Sequence, residues 1–304
     1  MTDTATPGVP RPGSINTRPA DGPKRGSRTP SQIRVFLGDR ASKVAAAAIL
    51  GIAAIAALAT LVAPYDPLEQ HRADRLAGPS LQYVLGTDEF GRDLLSRVVF
   101  GARISLATPA FAAAASAFIG LPIGLAAGFY GSWIDAAAMR IGDVLLAFPA
   151  VLLALAIVTI MGPSSATPAI AVAIASVPAL MRIVRASTLA VKNQEFVVAA
   201  TAVGATHTRI LFRTILPSTA GPVSVQGVVT LSRAVLLESS LSFLGLGVPP
   251  PDASLGSLLG MGRSFAHEAP WYGLFPGLTL MGIVLSLNVL ADAWGDVADP
   301  FNPP

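Results

Sequence analysis

Val44–Ala63 runs for twenty residues without a charged side chain. A helix needs ~20 apolar residues to cross ~30 Å of hydrocarbon. In lipid every backbone N–H and C=O must be satisfied within the segment, so a stretch like this has few alternatives to helix. Five more follow: Ile104–Tyr130, Val144–Met161 with Pro149 inside, Thr167–Met181 with Pro178, Gly221–Leu241, and Tyr272–Ala291 with Pro276 near its start. The reading is an all-α polytopic membrane protein with six transmembrane helices. Composition agrees: 52% of the chain is hydrophobic and 13% charged, against about 25% charged in a soluble domain.

Residues 1–33 differ from the rest. They are rich in Pro, Gly, Ser, Thr and Arg, and too poor in apolar surface to offset ordering entropy. The expectation is a disordered cytoplasmic tail ahead of a membrane domain over 34–304. No apolar core in the first thirty residues marks a signal peptide.

Orientation follows the basic residues. Eight Lys or Arg precede the first span. Five lie between the fourth and fifth: Arg182, Arg185, Lys192, Arg209 and Arg213. Only Arg263 lies between the fifth and sixth. Both termini and the 182–220 loop are therefore expected in the cytoplasm.

That loop contains a hairpin, "NQEFVVAATAVGATHTRILFRTILPS", Asn193 to Ser218. Asn193 is the expected N-cap, with Glu195 favourable in the first turn. Gln194–Val203 reads as a short helix ended by Gly204, which adopts a left-handed conformation without steric cost. Thr206 is expected to cap a second helix, His207–Thr214, stopped by Leu216-Pro217. Phe196, Val197, Ile210, Leu211 and Phe212 need something to pack on. Local packing and a docking surface for a cytoplasmic partner both fit. A DNA-reading element does not, since few polar side chains are available for base edges.

Other residues bound the chemistry. There is no cysteine, and His71, His207 and His267 show no metal-ligand spacing. No lysine follows a glycine, so there is no phosphate loop to hold ATP. Asp88 and Asp93 form no ordered base–nucleophile pair. The cluster of Asp88, Glu89, Arg92, Asp93, Arg97 and Arg103 reads as an outer loop tied by internal salt bridges. Gly120, Gly124 and Gly128 recur every four residues, a ridge that lets helix backbones approach closely. Arg233 and Glu238 are ionisable residues inside the fifth span. They fit an interhelical pair, snorkelling, or the lining of a translocation path.

Four motifs carry a resemblance. Ala199-Ala200, Gly204, Ala205 and Leu216-Pro217 resemble the cytoplasmic "EAA" loop of ABC importer permeases. "LGTDEFGRDLLSRVVFGARISL" (Leu85–Leu106), "LLESSLSFLGLG" (Leu236–Gly247) and "DVADP" (Asp296–Pro300) are similar to stretches of the dipeptide/oligopeptide/nickel permeases, most of all the second, type C, permease subunit. Val198 stands where the motif has glutamate, and Arg233 where a small or apolar residue is expected. The resemblance implies a type I importer permease fold in a bacterial inner membrane. It implies that Ala199, Ala200, Gly204, Ala205, Leu216 and Pro217 couple to an ATPase. It further implies a second permease subunit, two ATPase subunits that bind ATP and Mg, an extracytoplasmic solute-binding protein, and a dipeptide or oligopeptide cargo. No cofactor, metal or nucleic acid is expected on this chain. Nickel or another small solute is the alternative cargo, and a membrane scaffold or intramembrane enzyme the alternative class.

Overall fold

The computed structural model describes residues 40–162 and 164–298, so residues 1–33, with the rest of the N-terminal tail, and the end of the Asp-Pro motif lie outside the described residues. Among those described, the regular structure is helical, apart from one isolated antiparallel bridge between Thr87 and Asp93. In chain order the helices are α1 (Arg40–Ala57), α2 (Leu94–Tyr130), α3 (Ser132–Leu146), α4 (Ala150–Met161) and α5 (Thr167–Lys192). A hairpin of α6 (Glu195–Ala202) and α7 (His207–Ile210) follows, then α8 (Ala220–Phe243), α9 (Leu255–Arg263) and α10 (Pro270–Ala298). Helices α1, α2, α5, α8 and α10 are long and apolar enough to cross a membrane. The α3–α4 pair adds a sixth span if the two, bent by 91°, are counted as one.

The helices run beyond the apolar stretches read from the sequence, into segments that carry charge. The helix that holds Ile104–Tyr130 starts at Leu94, where Asp93 caps it, accepting from Ser96 N at 2.8 Å and Ser96 Oγ at 2.7 Å. Arg97 and Arg103 thus lie on the helix. The helix that holds Thr167–Met181 continues through Lys192. Its Arg182 and Arg185 pair with Asp143 and Asp135 of α3, so their charges are matched side by side with a neighbouring helix.

The stretch read as the third span is not one continuous helix: α3 and α4 meet there at a bend of 91°. Phe148-Pro149 interrupts it because proline lacks an N–H and disfavours helical conformation in the residue before it. Ser132–Leu146, missed as an element, forms its own helix before the break. Leu216-Pro217 does not stop the hairpin. A π-helical turn, Leu211–Ile215, leads into Leu216–Ser218, where Pro217 sits in a first turn that needs no N–H from it. Helix α8 then begins at Ala220, so the hairpin is joined almost directly to a membrane helix.

Helix α5 lies at the centre, packed against α2, α3, α4 and α8. Its contact with α2 follows the glycine ridge. A Cβ added at Gly124 would lie 2.6 Å from the Met181 carbonyl oxygen and 2.7 Å from Val184 Cβ. One at Gly128 would meet Thr188 Cβ at 2.7 Å, and Gly120 faces Val177 O at 3.4 Å. The helices therefore touch backbone to backbone, where dispersion contacts are densest.

At the end of the bundle away from the hairpin, residues 64–93 fold around Asp88. This fully buried carboxylate accepts from Phe90 N at 2.8 Å, Arg92 N at 3.0 Å, Arg92 Nε at 2.6 Å and Arg97 Nη1 at 2.6 Å. Four donors offset much of the desolvation that burying a charge costs. Glu89 accepts from Tyr272 Oη, which ties the loop to α10.

Candidate functional site

The hairpin is built on one backbone device. Gly204 takes φ +79°, and the bonds around it are Gly204 N to Thr201 O at 3.0 Å and Ala205 N to Ala200 O at 3.1 Å. This pair of crossed bonds is a Schellman motif, which satisfies the last carbonyls of α6 and places its C3 and C″ residues in contact. Those residues are Ala200 and Ala205, and both pack on the same apolar cluster. Gln194, not Asn193, holds the extended capping position of α6; Asn193 ends α5. Thr206 caps α7, its side chain accepting from Arg209 N at 3.4 Å.

The hairpin has two apolar faces with different fates. Val197, Ile210, Leu211 and Ile215 are buried against Leu125 of α2 and Leu180, Val184 and Val191 of α5. Phe196, Val198, Val203 and Phe212 are exposed, Val203 at 84%. Ala199, Gly204 and Pro217 are also exposed; Ala200, Ala205 and Leu216 are half-buried. The His207 ring packs edge-on to Phe129 and Tyr130 at the end of α2, at 5.4 and 5.8 Å between centroids. Lys192 of α5 donates to the Phe129 carbonyl and lies over the same ring. The hairpin thus rests on the ends of α2 and α5 and leads into α8. Sequence reasoning noted His207 only as lacking metal-ligand spacing; the adjacent Phe129-Tyr130 was the signal for its packing role.

The second feature is a groove between α8, α5 and the α3–α4 break, with a cavity of about 310 Å³. Arg233 lines it with Gln226, Thr230 and Ser240 of α8 and Ser176 of α5. Glu238 does not share this face. It is fully buried on the far side of α8, accepting from Ser242 Oγ at 2.6 Å and Ser239 Oγ at 3.4 Å. Of the readings open for these two residues, the groove holds Arg233 alone: five residues turn a helix well past one full turn, so Glu238 faces elsewhere, and the serines give its carboxylate an internal home. Gln226, Thr230 and Ser240 went unremarked in the sequence, though Gln226 and Ser240 lie seven residues on either side of Arg233. No three His, Asp or Glu among the described residues are grouped to hold a metal ion.

A solved structure of the MetNI methionine ABC transporter in an inward-facing conformation superposes with a TM-score of 0.56. It covers 68% of this chain and 98% of that one at 18% identity. At this identity the likeness speaks for fold alone, the fold of a type I ABC importer permease. Residues 120–301 match the family described as binding-protein-dependent transport system inner membrane component, and the chain belongs to that family. It is therefore a multi-pass protein of the cytoplasmic membrane. It is 42% identical over 260 residues to the dipeptide transport system permease protein DppC of Alkalihalophilus pseudofirmus, covering 83% of this chain and 85% of that one. It is 41% identical over 268 residues to the glutathione transport system permease protein GsiD of Pectobacterium atrosepticum, covering 88% and 89%. The di/tripeptide permease DppC of Pseudomonas aeruginosa is 41% identical over 245 residues, covering 79% and 81%.

Proposed function

We propose that this chain is the permease subunit of an ATP-driven importer of dipeptides or short oligopeptides. It forms half of a translocation pore with a second permease subunit, and has no ATPase site of its own. Both termini and the 193–218 hairpin face the cytoplasm. Two ATPase subunits, which bind ATP and Mg, dock on the hairpins, and an extracytoplasmic binding protein delivers cargo at the opposite end, where the Asp88 loop lies.

The observation that carries this reading is the hairpin's division of surface. One apolar face is anchored on α2 and α5, and the other, Phe196, Val198, Val203 and Phe212, is open. A partner that seats on the open face moves a rigid element joined to α8 through the π-helical turn. Val198 replaces the motif glutamate with an apolar contact on that face. The likeness to GsiD favours glutathione, itself a peptide, as a second cargo.

The test is a gentle-detergent pull-down from the native membrane with mass spectrometry, followed by uptake assays in vesicles. An ATPase, a second permease and a binding protein should be recovered, with ATP-dependent uptake of dipeptide. Recovery of this chain alone, even after crosslinking, would contradict the reading.

A further inference from the structure

The face of α8 that lines the groove carries a polar file. Helix α8 is enclosed by α2, α4, α5, α9 and α10 on most of its circumference. From Ser232 to Phe243 the exposed or half-exposed residues are Arg233, Leu236, Ser240 and Phe243 alone, and the same stripe runs back through Val229 and Gln226, where most of the helix is half-exposed. Three members of this stripe are polar, and they recur every seventh residue. Seven residues are two helical turns, so Gln226, Arg233 and Ser240 stand in line about 10 Å apart. A stripe facing lipid carries no such file, because polar and charged side chains at depth face water, protein or ligand.

Arg233 is the charged member. It lies thirteen residues after Ala220 and ten before Phe243, so about 15 Å or more of helix separates it from either end. That is too far for its guanidinium to reach a headgroup by snorkelling. It has no hydrogen bond or ion pair to any described residue. None of its polar neighbours bonds the guanidinium: the Ser240 and Ser176 hydroxyls turn to their own helix carbonyls at 2.7 Å, Gln226 Nε2 reaches Thr230 Oγ1 at 3.3 Å, and their acceptor oxygens are left for other donors. Glu238, the nearest acid along α8, is turned away and held by serines.

We infer that Arg233 is a carboxylate-selecting residue on the water-filled path, and that the passing solute carries the anion it meets. A guanidinium presents a planar fork that matches a carboxylate in two parallel hydrogen bonds. The groove, at about 310 Å³, holds the terminal carboxylate end of a short peptide rather than a whole chain. This rests on the importer reading above and adds to it the chemical group that is recognised.

The chain has no cysteine, which makes a thiol probe clean. In the assembled complex in membrane vesicles, Ser240→Cys is labelled with membrane-impermeant methanethiosulfonates of opposite charge, and modification of this chain is read by mass. An unpaired Arg233 about 10 Å away favours the anionic reagent. Adding Arg233→Gln should lower the anionic-to-cationic rate ratio by at least about fourfold. Uptake of a dipeptide against its C-terminal amide should lose preference for the free acid in Arg233→Gln, relative to wild type, and keep it in Arg233→Lys. No labelling at Ser240→Cys, or a ratio that ignores Arg233→Gln because a partner's acid already neutralises it, would overturn the inference. A wild-type complex without ATP-dependent peptide uptake would instead defeat the importer reading, while the labelling ratio would still report on the site.

Discussion

The His207 ring stands edge-on to Phe129, 5.4 Å between centroids with the planes at 69°. One residue belongs to the hairpin and the other to the end of a 37-residue membrane helix. Lys192 Nζ lies 5.7 Å from the centroid of the same Phe129 ring, and on the proposed function the contact of His207 with Phe129 is expected to carry motion of the hairpin to α2.

His207→Ala removes that contact and leaves the hairpin's buried face in place. An aromatic pair of this kind contributes about 0.5–1.5 kcal/mol. Expression and membrane insertion should be unchanged. The uptake per ATP hydrolysed should fall, measured by paired transport and ATPase assays in proteoliposomes; an unchanged ratio would show that the contact transmits nothing.

Gly204→Val acts differently. An added Cβ meets no atom within 4 Å, so crowding is not the issue. The strain comes from φ +79°, which a β-branched residue holds only at a cost of about 1–3 kcal/mol. ATPase association should weaken while insertion persists. Gly204→Asn, which tolerates the left-handed region, should retain more association than valine. Equal loss in both, scored by co-purification, would point away from backbone conformation.

The α2–α5 contact predicts an order of tolerance. Gly124→Ala places a Cβ at 2.6 Å from backbone, whereas Gly120→Ala meets its nearest atom at 3.4 Å. Overpacking of the first kind costs typically about 1–3 kcal/mol. The melting temperature in detergent should fall clearly for Gly124→Ala and hardly at all for Gly120→Ala.

Asp88→Ala leaves Arg97, almost fully buried, and Arg92 without their shared acceptor. Breaking one side of a buried pair costs about 3–5 kcal/mol. The loop of residues 64–93 should become sensitive to protease added from the outer side, while the hairpin keeps its ATPase. Protease resistance equal to wild type would contradict the structural role given to Asp88.

Much of this was legible in sequence because lipid leaves few choices. Uninterrupted apolar runs gave the crossings, and Gly204 gave the turn, since a glycine placed after a short helix signals a left-handed cap. Misreadings came where a tertiary partner changed the meaning of a residue. Arg182 and Arg185 looked like the end of a span until Asp143 and Asp135 of α3 matched them. Leu216-Pro217 looked like a stop because the π-helical turn that absorbs it has no sequence signature. Glu238 stayed open between several readings because spacing alone does not show which side of a surrounded helix is open.

The central claim is that the hairpin's open face seats an ATPase, and the absence of cysteine allows one direct measurement. Val203→Cys, on the most exposed apolar side chain of that face, is treated in native membranes, with and without ATP, with a short crosslinker that is thiol-reactive at one end and photoreactive at the other. The account predicts a crosslink to an ATPase subunit whose yield changes on ATP addition. Crosslinks confined to this chain, under both conditions, would contradict it.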